Sequence, residues 1–255
     1  MGFEEVSSRR LLTNNHIIRI QGELEQNDAG FRRVPGTSHT PPQDAAEIVA
    51  LMADLERFIN NDVRYDADTL IKMALIHHQF ESIHPFYDGN GRTGRIICVL
   101  YLVKEGLLDS PVLYMSRYIV RTKAEYYRLL QDARDKDAWE AWVIYMLTAV
   151  EQTARQGITV IDAIKGALLD VKHRVRRQYP RFYSQDLINN LFTHPYTKIE
   201  FVMNDLGVSR LTATRYLNAL VEGGILTSRK VGRWKYFVNE PLCAILTGDA
   251  LTTTR

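Results

Sequence analysis

Cysteine is scarce in this chain. The only two, Cys98 and Cys243, lie far apart and lack the paired spacing of a zinc ligand set or a disulfide framework. A reducing cytoplasm is the expected setting. Long apolar runs are missing as well, and the longest, Ala141 to Val150, is much too short to cross a bilayer. The start, Met1-Gly-Phe-Glu-Glu, has no basic stretch followed by an apolar one, so secretion and membrane anchoring are disfavoured. Val6 stands where a myristoylation signal wants Ser or Thr. Charge of one sign is also lacking. Lys and Arg total 32 against 30 Asp and Glu, a net +2, so any nucleic-acid contact must come from a local patch. No Gly-x-x-x-x-Gly-Lys-(Ser/Thr) segment occurs, which removes a P-loop ATPase, and no internal repeat or low-complexity tract is evident.

What remains is an ordinary composition, 45% hydrophobic over 255 residues, enough for one large or two modest domains. Apolar residues recur at helical spacing along most of it. Ile48, Leu51, Met52, Leu55, Phe58 and Ile59 form one stripe, opened by Pro41-Pro42 and an Asp44…Glu47 capping pattern. Leu70, Met73, Ala74, His77 and Phe80 form the next, with Asp68 placed to cap it. Ile96, Leu100, Val103 and Leu107 mark a third helix. Trp139, Trp142, Val143, Met146 and Val150 mark another, and Ile158, Ile161, Ile164, Leu168 and Val175 one more.

Between the second and third stripes stands His84-Pro-Phe-Tyr-Asp-Gly-Asn-Gly-Arg-Thr-Gly-Arg95. Singly, each of these residues is commonplace. Together, in twelve consecutive positions, they place a base, a hard oxygen ligand, an anion cradle and two guanidinium groups in one loop and helix start. His84 has a reference pKa of about 6.5 and suits general-base work near neutrality. Asp88 suits Mg²⁺, which takes one or two carboxylates and completes its octahedron with phosphate oxygens and water. Gly89, Asn90 and Gly91 let backbone N–H groups reach a phosphate at the positive end of the following helix. Arg92 and Arg95 share a helix face and can fork onto the more distal phosphates. Phe86 is the apolar anchor of the loop. Gly89-Asn-Gly91-Arg-Thr-Gly94 also fits the dinucleotide fingerprint, but that needs a preceding strand, and the residues before it are helical.

The loop resembles the His-x-Phe-x-(Asp/Glu)-Gly-Asn-Gly-(Arg/Lys)-x-x-Arg motif of the Fic family at every specified position. The resemblance implies a mainly α-helical catalytic domain in which AMP passes from Mg·ATP to a Ser, Thr or Tyr hydroxyl of a protein target or of the enzyme itself. It makes His84 the base and Asp88 the Mg²⁺ ligand. Gly89, Asn90 and Gly91 become the anion hole, and Arg92, Gly94 and Arg95 further nucleotide contacts. Other expectations from the same loop are transfer of UMP or phosphate, removal of AMP, or a nucleotide-sensing DNA-binding regulator. Many relatives carry an inhibitory (Ser/Thr)-x-x-x-Glu-(Gly/Asn) helix. No such segment occurs here, so the phosphate site is expected to be open. Relatives also have a longer flap where this chain has Gly30 to Pro42, which suggests a shortened chain.

After a basic stretch, Lys165 to Arg181, a second domain is expected, giving residues 1–178 as the Fic-type domain, with its core about 40–150, and 179–255 as a winged helix-turn-helix. Ser184 to Phe192 reads as a first helix. Thr197…Glu200 reads as the capping box of a second, ending near Leu206, and Ser209 as the cap of a third, ending at Gly223-Gly224. Ile225 to Ser228 and Trp234 to Val238 alternate like the strands of a small β-wing. Arg210 and Arg215 on the third helix, with Arg229, Lys230, Arg233 and Lys235 in the wing, are candidate phosphate or partner contacts. A Fic domain followed by a winged helix resembles a familiar bacterial signalling arrangement. With so small a net charge, protein docking or homo-oligomerisation is favoured for this part over sequence-specific DNA binding.

Overall fold

The computed structural model describes residues 2–32, 41–60 and 67–248. Most of the Gly30 to Pro42 stretch therefore lies outside the described residues. The chain divides into two compact units, Met1–Gly157 and Ile158–Arg255.

The first unit is helical: α1 Gly2–Arg9, α2 Asn14–Glu25, α3 Ala45–Asn60, α4 Thr69–Ile83, α5 Asn90–Lys104, α6 Ser116–Arg121, α7 Lys123–Lys136 and the first part of α8, Trp139–Gln178. Apolar residues surround α4 and α5 on nearly all sides, and that is why these two helices are central. Met73, Ala74, Ile76, Phe80 and Ile83 on α4 and Ile97 to Val103 on α5 are all buried. The other helices bring one stripe each. Ile48, Met52, Leu55 and Ile59 of α3 reach the core, with Leu51 and Phe58 against it. From α8, fully buried Trp142 donates its indole N–H to Ala74 O at 2.9 Å. Asp68 caps α4 through Leu70 N–H, and Asp44 accepts from Glu47 N–H at 2.9 Å.

α2 begins with a reciprocal cap. The Thr13 hydroxyl accepts from His16 N–H while the His16 ring accepts from Thr13 N–H. It ends where Gln26 turns left-handed at φ 54°. Asn27 then folds back to donate to Gly22 O, so closely that a Cβ on Gly22 would lie 2.8 Å from Asn27 O.

The second unit contains the last part of α8, then α9 Gln185–Thr193, β1 Tyr196–Thr197, α10 Ile199–Leu206, α11 Arg210–Glu222, β2 Thr227–Val231, β3 Trp234–Val238 and α12 Glu240–Thr247. Its antiparallel sheet has the order β1-β3-β2, with Thr197 opposite Phe237 and Val231 opposite Trp234. Phe237 joins Val171, Val175, Leu187, Ile188, Leu217 and Leu220 in a core of its own. Ser184 and Ser209 cap α9 and α11.

Several local expectations need correction. The two stripes from Trp139 to Val175 belong to one 40-residue helix, since nothing in residues 151–157 stops a helix and the single glycine, Gly157, is tolerated. The two compact units divide within α8, and Val171 and Val175 of that helix are buried in the second core. α5 stops at Lys104, before Gly106 at φ 76°, which leaves Leu107 exposed. Thr197 caps nothing. It is buried in β1 and donates to Asn190 Oδ1 at 2.7 Å, while Lys198 precedes α10 without a side-chain cap. The strand expected at Ile225 to Ser228 runs from Thr227 to Val231 instead, because Ile225 and Leu226 are pulled into the core. Among the described residues no helix is long and apolar enough to cross a membrane.

Trp142 supplies both volume and a buried hydrogen bond to the first core. Trp142→Ala should lower its stability by about 3–5 kcal/mol, read from chemical denaturation followed by circular dichroism. A loss below about 1 kcal/mol would mean that this side chain does not anchor α8 to α4.

Candidate active site

The loop between α4 and α5 is tied from several directions. His84 closes α4 in the left-handed region, φ 51°, which is uncommon for a non-glycine residue and costs about 1–2 kcal/mol. Its N–H bonds Phe80 O, and its carbonyl accepts from Arg32 Nε at 2.8 Å. Arg32 is almost fully buried, a second guanidinium nitrogen donates to Pro42 O, and its own N–H bonds Pro85 O. Burial draws its guanidinium pKa below the ordinary value. Phe86 is buried between Phe31 and Phe80, with ring centroids 5.4 and 6.2 Å away. Asn90 accepts from Phe86 N–H at 2.9 Å and donates to Phe86 O at 2.8 Å, so its side chain is a strut across the loop and only its backbone is free for an anion.

Asp88 is exposed and accepts from Gly89 N–H through Oδ1 at 2.6 Å. Gly89 has φ 79°, and a side chain there would collide with the carboxylate of Glu25. α5 starts at Asn90 without a side-chain cap, so its first-turn amides point at an anion-binding place.

Beside that place the chain sets a carboxylate of its own. Glu25, the last residue of α2, puts Oε1 2.5 Å from Arg92 Nη2 beside Gly89. Its side chain is 13% exposed, and the buried oxygen makes no hydrogen bond of good geometry, so the contact is an ion pair. Gln21, one turn earlier on α2, donates to Asp88 O at 3.4 Å. The expected open site is thus corrected. Gln21 and Gln26 stand where the inhibitory pattern asks for Ser or Thr and for Gly or Asn, so the pattern does not register, and the glutamate meets Arg92 rather than the last arginine of the loop.

Arg95 is held by Ser116 of α6, Nε to Oγ at 2.8 Å, beside Gly91. Gly94, expected among the nucleotide contacts, faces α4 instead. A Cβ there would lie 2.7 Å from Glu81 Oε1 and 3.1 Å from Phe80, so this glycine serves close helix packing. His84, Tyr87, Asp88, Gly89, Asn90, Gly91, Arg92 and Arg95 line one cavity of about 460 Å³ with Ile119, Val120, Lys123, Tyr126 and Tyr127. Such a volume suits a small-molecule site. The α6–α7 wall escaped sequence reading because its residues follow the loop only after the whole of α5.

Beneath the loop lies a buried polar layer. His77 Nε2 and the Tyr126 hydroxyl are 2.9 Å apart. Burial pushes the His77 imidazole down to about 3 and the Tyr126 phenol well above its ordinary range. Burial raises the Glu81 carboxyl to about 7, against the pull of Arg95 and Arg134. Among the described residues no three His, Cys, Asp or Glu side chains gather to hold a metal, so Asp88 is the one carboxylate this cavity offers.

Comparisons with known proteins bear on the two parts of the chain separately. Residues 11–102 match the model of the Fic/DOC family, and residues 168–242 match that described as protein adenylyltransferase SoFic-like, C-terminal domain. The chain is 28% identical over 160 residues to a Drosophila ananassae protein named protein adenylyltransferase Fic, covering 62% of this chain and 29% of that protein. The Drosophila melanogaster protein of the same name is 30% identical over 138 residues, 53% of this chain and 26% of its own length. The chain thus spans under a third of these relatives. A Fic family protein from Desulfovibrio desulfuricans G20 shares the fold with a TM-score of 0.52 at 21% identity, covering 89% of this chain and 68% of its own. A Fic-1 structure from C. elegans does so with a TM-score of 0.51 at 23% identity, over 61% and 46%.

The raised Glu81 pKa generates a stability prediction. The folded state holds this proton more tightly than the unfolded state does. The associated stability is therefore complete below the ordinary value of 4.5 and lost as pH rises through about 7. Glu81→Gln, which cannot ionise, should gain on the unsubstituted protein as pH rises from 4 to 8, by up to about 3 kcal/mol. A stability difference independent of pH would contradict this.

Proposed function

We propose that this chain, which carries a Fic/DOC-family domain followed by a SoFic-like adenylyltransferase C-terminal domain, is a protein adenylyltransferase. It moves AMP from ATP to a Ser, Thr or Tyr hydroxyl of a protein target or of itself. The observation that carries this reading is Glu25. Its carboxylate lies beside Gly89 at the uncapped start of α5 and pairs with Arg92, where a phosphate of ATP fits by the same chemistry.

In the transfer, the His84 imidazole takes the proton of the acceptor hydroxyl. The oxygen forms a bond to the α-phosphorus, the bond from that phosphorus to the β-bridging oxygen breaks, and pyrophosphate leaves. Backbone N–H groups of Gly89, Asn90 and Gly91 stabilise the charge on the α-phosphate, and Arg92 and Arg95 hold the distal phosphates. Asp88, exposed toward the cavity, would hold Mg²⁺, which neutralises polyphosphate charge when bound. Exposed Tyr127 and Val120, with Lys123 Nζ 5.9 Å from the Tyr127 ring centre, offer a flat apolar wall on which a nucleobase stacks. Glu25 must leave Arg92 before the phosphates bind, so the chain restrains itself. Helices α9, α10 and α11 with the β2–β3 hairpin support the winged-helix reading, and we place the reaction in the cytoplasm.

Two variants test the site. His84→Ala should cut transfer of α-phosphate label from ATP by roughly 10²–10⁴-fold with the fold intact. Undiminished labelling would remove His84 from the chemistry. Glu25→Ala should raise self-labelling on the order of tenfold, the usual scale of such couplings, and an unchanged or lower rate would refute restraint by Glu25.

A further inference from the structure

Charge that nearly cancels over the whole chain is unevenly divided. From Ile158 onward, fourteen Lys and Arg stand against eight Asp and Glu, whereas the preceding part is acidic. The second unit therefore carries a positive field that the net charge conceals.

The sheet of this unit has two unlike faces. Phe237 and Thr197 point into the core. Alternation puts Tyr196, Trp234 and Tyr236 on the other side, across from Arg229 and Val231 of β2. Tyr196 is 39% and Trp234 44% exposed, which is unusual for rings of this size unless a partner covers them. Cations stand among them. Lys198 Nζ lies 4.8 Å from the centre of Tyr236, 5.5 Å from Trp234 and 6.0 Å from Tyr196, and the Arg233 guanidinium lies 5.1 Å from Trp234. Among the described residues neither Lys198 nor Arg233 is in an ion pair, and the nearby Glu240 is engaged by Arg229 and Thr227.

The conventional reading surface of such a unit is poorer. On α11, Arg210 is paired with Glu200 at 3.2 Å, Arg215 lies against Tyr216, and Leu211 is 82% exposed at the helix start. Apolar Leu211 and neutralised Arg210 do not suit a helix that must follow duplex phosphates.

We propose that the outer face of the β1-β3-β2 sheet binds single-stranded nucleic acid, stacking bases on Trp234 and Tyr196 and holding phosphates with Lys198 and Arg233. Rings interleaved with cations serve this ligand better than an acidic peptide, which would use the cations and leave the rings uncovered. The inference is independent of the adenylyl-transfer reading and requires no nucleotide in the first unit.

The test is fluorescence anisotropy of a labelled oligothymidylate of about twelve nucleotides with the full chain. The salt series, a duplex of equal length and an acidic peptide serve as competing arms. The single strand should bind, weaken as salt rises, and compete better than the duplex or the peptide. Trp234→Ala should weaken binding on the order of tenfold or more with an unchanged circular dichroism spectrum, Trp234→Phe should retain most of it, and Arg215→Ala should change little. Absence of binding would overturn the proposal. So would duplex or peptide binding tighter than the single strand, or loss in Arg215→Ala with Trp234→Ala unaffected.

Discussion

The first turn of α5 exposes backbone amides at the positive end of a buried helix, and no side chain caps them. A group of unsatisfied donors in that position must face water or an anion, and much of the first unit is arranged to present it to an anion. Gly89 allows an acceptor to approach, Arg92 and Arg95 add fixed positive charge, and His84 stands at the preceding turn. In this structure the carboxylate of Glu25, carried in by the left-handed end of α2, lies beside Gly89 and pairs with Arg92. One electrostatic requirement therefore accounts both for the proposed ATP site and for its restraint.

Holding that helix start in place uses buried polar groups that are costly in themselves. Arg32 is buried with carbonyl partners only, His84 occupies a left-handed backbone conformation, and Glu81 lies under the loop in surroundings that favour its neutral form. Against these stand the reciprocal Asn90–Phe86 bonds, the aromatic packing around Phe86 and the apolar surround of α4 and α5. The loop is consequently held firmly where it carries His84 and the α5 amides. The variable element is the reach of Glu25 from a different helix.

The chemistry between His84 and Arg95 was legible because it is contiguous, and the helical stripes because burial of α3, α4 and α8 follows the apolar spacing. Contacts made across the sequence were not. Glu25 meets Arg92 only after α2 and α5 are packed, and with glutamines at both diagnostic positions no local pattern marks it. Arg32 lay in a segment read only as a departure from a longer flap, yet its side chain supports the turn at His84. Gly94 looked like a phosphate contact because three glycines fell in a familiar rhythm, whereas the third answers to Phe80 and Glu81 across the α4–α5 contact. Thr197 had the local chemistry of a cap and was claimed instead by Asn190. The overall charge averages over two units and so conceals the basic character of one.

The central claim is that Glu25 and the phosphates of ATP compete for one anion site built by α5 and Arg92. The most direct measurement is calorimetric ATP affinity across a double-mutant cycle of the unsubstituted chain, Glu25→Ala, Arg92→Ala and the double variant. Competition predicts that Glu25→Ala tightens ATP binding by roughly tenfold when Arg92 is present, and that this gain shrinks strongly in the Arg92→Ala background. Equal ATP affinities with and without the Glu25 carboxylate would contradict the account.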